Sequence, residues 1–157
     1  MDEPDISVDA VIDAPAEDLF EMVSDLTRMA EWSPENTGAR WKGGAVGPAV
    51  GARFSGKNAN GWRRWSTDGK VIEAEPGKVF AFEVSAVGFK VATWRYTFEP
   101  SGSSTRVVEE WYDTRGGLAK RMGGVASGVS DRRTHNRAGM EQTLENLKAA
   151  AEATADA

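Results

Sequence analysis

The chain has one histidine, His135, and no cysteine in 157 residues. Thiolate nucleophiles, cysteine-held metals and multi-histidine metal sites are therefore excluded, and a histidine-centred triad has a single position to draw on. Proton chemistry falls to carboxylates. Three of them sit on one short alternating run, VVEEWYD, over Val107–Asp113. With a side-chain period of two, Glu109, Trp111 and Asp113 share one face of a strand. A carboxyl among rings would be desolvated, its pKa would rise, and it would serve as a general acid or base. The competing reading has these acids facing solvent or pairing with Arg95 or Arg106 on a neighbouring strand. No catalytic constellation is complete, and Glu109 and Asp113 are the candidates that remain. No metal or cofactor is expected: the strings GGAVGPAVG and GGVASG lack a phosphate-loop lysine and a strand-then-helix setting, so they are assigned to turns.

The run WRRW, Trp62–Trp65, interleaves arginine and tryptophan. Aromatic stacking between basic residues is a way to hold single-stranded nucleic acid. In a strand, however, Trp62 and Arg64 face one way and Arg63 and Trp65 the other. The formal net charge of −5 also opposes a nucleic-acid groove. The ordinary outcome is arginine stems packed beside tryptophan on a sheet, with no nucleic-acid partner.

The strongest binding signal is aromatic. The chain carries six tryptophans. Phe54, Trp65, Phe82, Trp94, Tyr96 and Trp111 can share one face of a sheet, opposed by Met122, Val125 and Val129 from a helical side. Such rings either fill a dry core or line a pocket, and composition alone allows both. In the pocket reading, apolar contact supplies the affinity and a few polar groups orient the guest. Arg95, Glu109 and Asn136 are the candidates for that role. On the helical phase set by Met140 and Leu144 the inward residue is Asn136, either a polar end of the pocket or a helix–sheet hydrogen bond, while His135 falls on the surface flank.

The elements that must position these residues follow from the patterning. Ile6–Ile12 alternates as an edge strand. Asp13-Ala14-Pro15 opens a short helix, with proline at the first helical position and Glu17 and Asp18 in the first turn. Leu19, Phe20 and Val23 form its apolar face. Ser24 is placed to cap a second short helix carrying Leu26 and Met29 inward, and Ser33-Pro34 stops it. Strands are predicted at about 38–43, 49–58, 61–74, 78–87, 90–99 and 104–113, joined by short Gly- and Pro-containing turns and so paired as an antiparallel meander. Both faces of the 104–113 run are mixed. Helical spacing resumes near residue 117 through Leu118, Met122, Val125 and Val129, weakened by its glycines. A firmer helix runs from Asp131, capped by Ser130, with Met140, Leu144, Leu147 and Ala151 on one face. Arg137–Glu141 and Glu145–Lys148 are spaced for ion pairs on its solvated side.

The predicted class is α+β: a curved antiparallel sheet of about seven strands around one long C-terminal helix, with two short helices after the first strand. A strongly bent sheet wrapping one helix leaves a space between them, bordered by the concave rings. A chain of this length suits one domain over 1–157 with its core at about 5–150. No apolar run reaches the roughly 20 residues of a membrane span, and the acidic N-terminus MDEPDIS is unlike a signal peptide. The expected location is the cytoplasm, without integral membrane contact.

Three stretches carry a family resemblance: DAPAEDLFEMVSDLTRMAEWSP after the first strand, GKVIEAEPGKVFAFEV, and the closing NRAGMEQTLENLK. Over about residues 5–150 the chain resembles the START-like, or birch-pollen-allergen-like, superfamily, and within it the bacterial polyketide cyclase/dehydrase and lipid transport group, also called SRPBCC. The resemblance implies a helix-grip fold with a hydrophobic cavity that takes a fatty acid, a polyketide or a similar apolar molecule. It implies, for a minority of members, cyclisation, aromatisation or dehydration of the bound chain. The glycine-rich Arg115–Gly128 segment departs from the continuous helix usual there. The expected function is therefore binding of a small apolar ligand. The alternatives are a cyclase, aromatase or dehydratase acting in that cavity, and an interaction or stress-related module whose pocket is vestigial.

Overall fold

The computed structural model describes residues 3–117, 120–121, 127–129 and 131–155. Strands β1 (Ile6–Ile12), β2 (Asn36–Lys42), β3 (Arg53–Asn60), β4 (Arg63–Glu75), β5 (Val79–Ala86), β6 (Phe89–Ser101) and β7 (Ser104–Asp113) form one antiparallel sheet. Its order is β1-β7-β6-β5-β4-β3-β2. Consecutive strands from β2 to β7 are neighbours, as short turns require. β1 closes on β7 from the far edge, with Val8 opposite Glu109. Helix α1 spans Ala16–Ser24, a 3-10 helix follows over Leu26–Glu31, and α2 spans Arg132–Ala155.

Curvature has identifiable causes. The register shifts at Asn36/Gly38, at Val71/Glu73 and at Val84/Ser85. An extra residue on one strand of a pair bends it and deepens its twist. Three such irregularities across the β2–β6 region turn a flat meander into a trough. The long α2 lies chiefly against β1, with Met140, Leu144, Leu147 and Ala151 all buried. Their spacing of four, three and four residues places them on one stripe.

Helix α1 closes one end of the trough. It packs on β5 and β6, where Phe20 meets Phe80 at 6.2 Å and Phe98 at 6.0 Å in edge-on contacts. The ring chain continues across the sheet through Phe80–Phe82 (5.7 Å), Phe82–Phe54 (5.4 Å) and Phe54–Trp41 (6.1 Å). Offset and edge-on pairs at such distances gain beyond their area burial. Phe54 has room because its cross-strand partner is Gly69: a Cβ there would stand 2.0 Å from the Phe54 ring.

Several local expectations are corrected. The strand predicted from residue 49 begins at Arg53, since Gly51 at φ +90° turns the chain first. Pro15 precedes α1 rather than opening it; its ψ of 146° is extended. Asp25, not Ser24, caps the second short helix, accepting from the Thr27 backbone N–H, while Ser24 is buried. That helix is 3-10 in type. Lys148 reaches Glu152 at 2.7 Å and the Val11 carbonyl at 2.9 Å rather than Glu145. At the head of α2, Asp131 accepts from the Thr134 N–H and hydroxyl. The predicted cap Ser130, and Leu118, lie outside the described residues.

Candidate functional site

The trough and α2 enclose a cavity of about 640 Å³. Ligand pockets generally fall at about 300–1,000 Å³. Its floor comes from β3 to β7 and its roof from α2, with Asn136, Met140 and Thr143 facing down. Phe54, Trp65, Phe82, Trp94, Tyr96 and Trp111 all border it. Strand pairing explains how they converge, since Trp94 lies opposite Trp111 and Phe82 opposite Trp94. Val129 is buried but not on the cavity wall. Met122 and Val125 lie outside the described residues. A second hollow, of about 710 Å³, follows the Lys42–Arg53 loop. It is shallow, solvent-open and ringless.

The acids of β7 part company. Glu109 is 1% exposed and borders the cavity. Its Oε1 accepts the Tyr96 hydroxyl at 2.8 Å, and its Oε2 has no partner among the described residues. Tyr96 stands directly opposite on β6. Burial pushes the Glu109 carboxyl up to about 8, opposed by the Tyr96 hydrogen bond. Burial first, and then the neighbouring carboxyl, hold the Tyr96 phenol well above its ordinary range. At neutral pH both groups are protonated: the phenol donates to Oε1 and the carboxyl keeps its own proton. The reading that Glu109 faces solvent or pairs with arginine is thereby overturned.

Asp113 does pair. Arg115 Nε and Nη2 hold its two oxygens at 2.9 Å each, and Lys120 adds a contact at 3.7 Å. Its carboxyl is partly buried, but those arginine contacts lower its pKa overall, and it does not border the cavity. Glu110 faces the outer side with Arg95, at 3.5 Å, and Arg95 also meets Glu73 at 3.1 Å. Arg95 is thus removed from the groups that could orient a guest.

Sequence reasoning missed the cluster at one end of the cavity. Glu35, just before β2, receives Arg132 Nη1 on both carboxylate oxygens at 2.9 Å and lies 2.9 Å from His135 Nε2. Arg132 also donates to Asn136 Oδ1 at 3.2 Å and stands over the Trp65 ring at 5.8 Å. Asn136 is inward, as its phase predicts, but its partner is the arginine one turn earlier and not the sheet. All five residues border the cavity. No sequence signal joins Glu35 to Arg132 across 97 positions.

The WRRW motif splits at the β3–β4 turn. Trp62 is 82% exposed beneath the Arg63 guanidinium at 4.6 Å, and Trp65 turns inward. Val87 and Phe89, at the β5–β6 turn, are 85% and 51% exposed and border the same cavity. Among the described residues no group of three or more acids and histidines is placed to hold a metal ion. No described helix is long and apolar enough to cross a membrane.

The family described as "Polyketide cyclase / dehydrase and lipid transport" matches residues 3–152. No curated protein matches the chain. Among solved structures, the Polyketide_cyc-like protein Cgl2372 from Corynebacterium glutamicum is similar at 30% identity and a TM-score of 0.63, over 94% of this chain and 91% of that one. The di-domain ARO/CYC StfQ from the steffimycin biosynthetic pathway shares the fold at 17% identity and a TM-score of 0.71, over 98% of this chain and 54% of that one. Protein CV1439 from Chromobacterium violaceum shares it at 15% identity and a TM-score of 0.69, over 94% and 96%.

Proposed function

We propose, from the premise that this chain belongs to the polyketide cyclase / dehydrase and lipid transport family, that it holds one small, mostly apolar molecule between its sheet and α2. The observation that carries this reading is the ring-bordered cavity of about 640 Å³. Trp94 and Trp111 do meet at 6.4 Å, but a filled core would leave no such volume between the rings and α2. Burial of a guest against these rings supplies roughly 25 cal/mol per Å². A fatty acid, a polyketide or a similar metabolite matches the lining. Native mass spectrometry of protein purified from its own host tests the reading. A co-purifying small-molecule mass, displaced by an apolar fluorescent probe, is expected. Protein that is always empty and binds no such probe would refute it.

A second reading has a specific observation behind it. Glu109 is a neutral acid at pH 7 inside an apolar cavity, the condition in which a carboxyl serves as proton donor. Under this reading the bound chain is cyclised or dehydrated there, a chemistry the family description also names. A linear β-keto thioester incubated with the protein would then yield a cyclised product that Glu109→Gln no longer forms. Equal product from both proteins removes the enzymatic reading and leaves the binding reading standing.

A further inference from the structure

We infer that the deep end of the cavity is a recognition site for a neutral carbonyl oxygen, held by the free oxygen of Glu109 acting as a hydrogen-bond donor. This rests on the apolar-ligand reading and adds the chemical class of the ligand to it.

One oxygen of the buried carboxyl is left without a hydrogen bond among the described residues. Glu109 is 1% exposed, and that oxygen is its Oε2. Buried polar atoms are nearly always satisfied, and each exception calls for an explanation. The Tyr96 hydroxyl donates to Oε1 at 2.8 Å. A neutral carboxyl has one carbonyl-type oxygen and one hydroxyl, and the oxygen already accepting the phenol takes the carbonyl role. The proton therefore sits on Oε2. Tyr96 thus fixes which oxygen donates, and Glu109 borders the cavity. What completes an O–H donor in an apolar cavity is an acceptor. A ketone, ester or thioester carbonyl provides one without bringing charge.

Charge complementarity narrows the class further. Among the described residues, the cations that border the cavity are engaged: Arg132 by Glu35 and Arg115 by Asp113. The remaining titratable groups of the described wall are His135, also at Glu35, and Tyr96 from β6. β1 contributes Val8 opposite Glu109. A ligand carboxylate at Glu109 would thus be buried with no free counter-charge among the described residues, which is costly. A neutral carbonyl carries no such cost.

The site is distinct from the proton-transfer role considered above, because it needs only donation. In the Glu109→Gln variant the side-chain amide N–H would still donate, while its carbonyl accepts the Tyr96 hydroxyl. The Glu109→Leu variant would do neither. Three probes on one naphthalene frame separate the possibilities: a naphthyl alkyl ketone, its carbonyl-free alkyl analogue and the corresponding naphthoate. Each is titrated against the wild type, Glu109→Gln and Glu109→Leu at pH 7 by fluorescence, with thermal melts to confirm folding.

The wild type and Glu109→Gln are expected to prefer the ketone over the hydrocarbon by about tenfold, the equivalent of one net hydrogen bond of roughly 1.4 kcal/mol. Glu109→Leu is expected to bind both alike. The infrared carbonyl band of the bound ketone should move to lower frequency in the first two proteins and not in the third. Raising the pH through about 8 should abolish the preference in the wild type and leave it in Glu109→Gln. Equal binding of ketone and hydrocarbon by the wild type overturns the carbonyl site, and so does naphthoate binding tighter than ketone. Binding of no probe to any of the three proteins instead overturns the apolar-ligand reading beneath it.

Discussion

A carboxyl buried to 1% exposure in an apolar cavity works against folding unless it stays neutral. Glu109 does so at neutral pH, and the sign of the resulting pH dependence follows. The folded chain keeps this proton up to about pH 8, whereas the unfolded chain releases it near 4.5. Between those values the folded state binds more protons, so stability falls as pH rises, by up to about 1.4 kcal/mol per pH unit from this group. Glu109→Gln removes the term. Denaturant unfolding of both proteins from pH 5 to 9 should show the variant gaining on the wild type up to about pH 8 and then holding a constant lead. A constant difference across the range would mean that the Glu109 carboxyl is ionised when folded. Gly69 is the other residue with a definite requirement. Its added Cβ would stand 2.0 Å from the Phe54 ring. Gly69→Ala must therefore push that ring toward the cavity, at about 1–3 kcal/mol. Thermal melts should register the loss, and probe affinity should fall with it.

At the scale of elements, the junction of α2 with the segment before β2 rests on Glu35 and Arg132, whose side chains are 26% and 13% exposed. A mostly buried, charge-assisted pair of this kind, with one guanidinium nitrogen shared between both carboxylate oxygens, outweighs exposed ones. Glu35→Ala leaves Arg132 without its carboxylate, and is expected to speed amide exchange over residues 132–136 while the centre of α2 stays protected. Unchanged exchange there would show that the helix start is held by other contacts. This junction was not legible in the sequence, because a salt bridge across 97 positions has no local signature. What is periodic was legible: the stripe Met140–Ala151, the alternation Phe80–Phe82 and the turn glycines. Strand starts slipped where one backbone angle decides, as at Gly51. The face of β7 could not be read because both sides are mixed, and only pairing with Tyr96 and Val8 shows which acid is inside. Asp113 shares the parity of Glu109, yet Arg115, two residues on, draws it away.

At the scale of the whole molecule, three register shifts bend the sheet, α1 plugs one end, and α2 roofs the trough. These place the indoles of Trp65, Trp94 and Trp111 on the cavity wall and leave Trp62 82% exposed on a turn. The chain thus carries its own reporters and its own control. Titration of ¹⁵N-labelled protein with the naphthyl ketone, followed at the six indole N–H resonances, tests most directly whether a small apolar guest enters between sheet and helix. The Trp65, Trp94 and Trp111 signals are expected to shift together and saturably, with Trp62 unmoved. Indole resonances that all stay in place, or a shift confined to Trp62, would contradict the account.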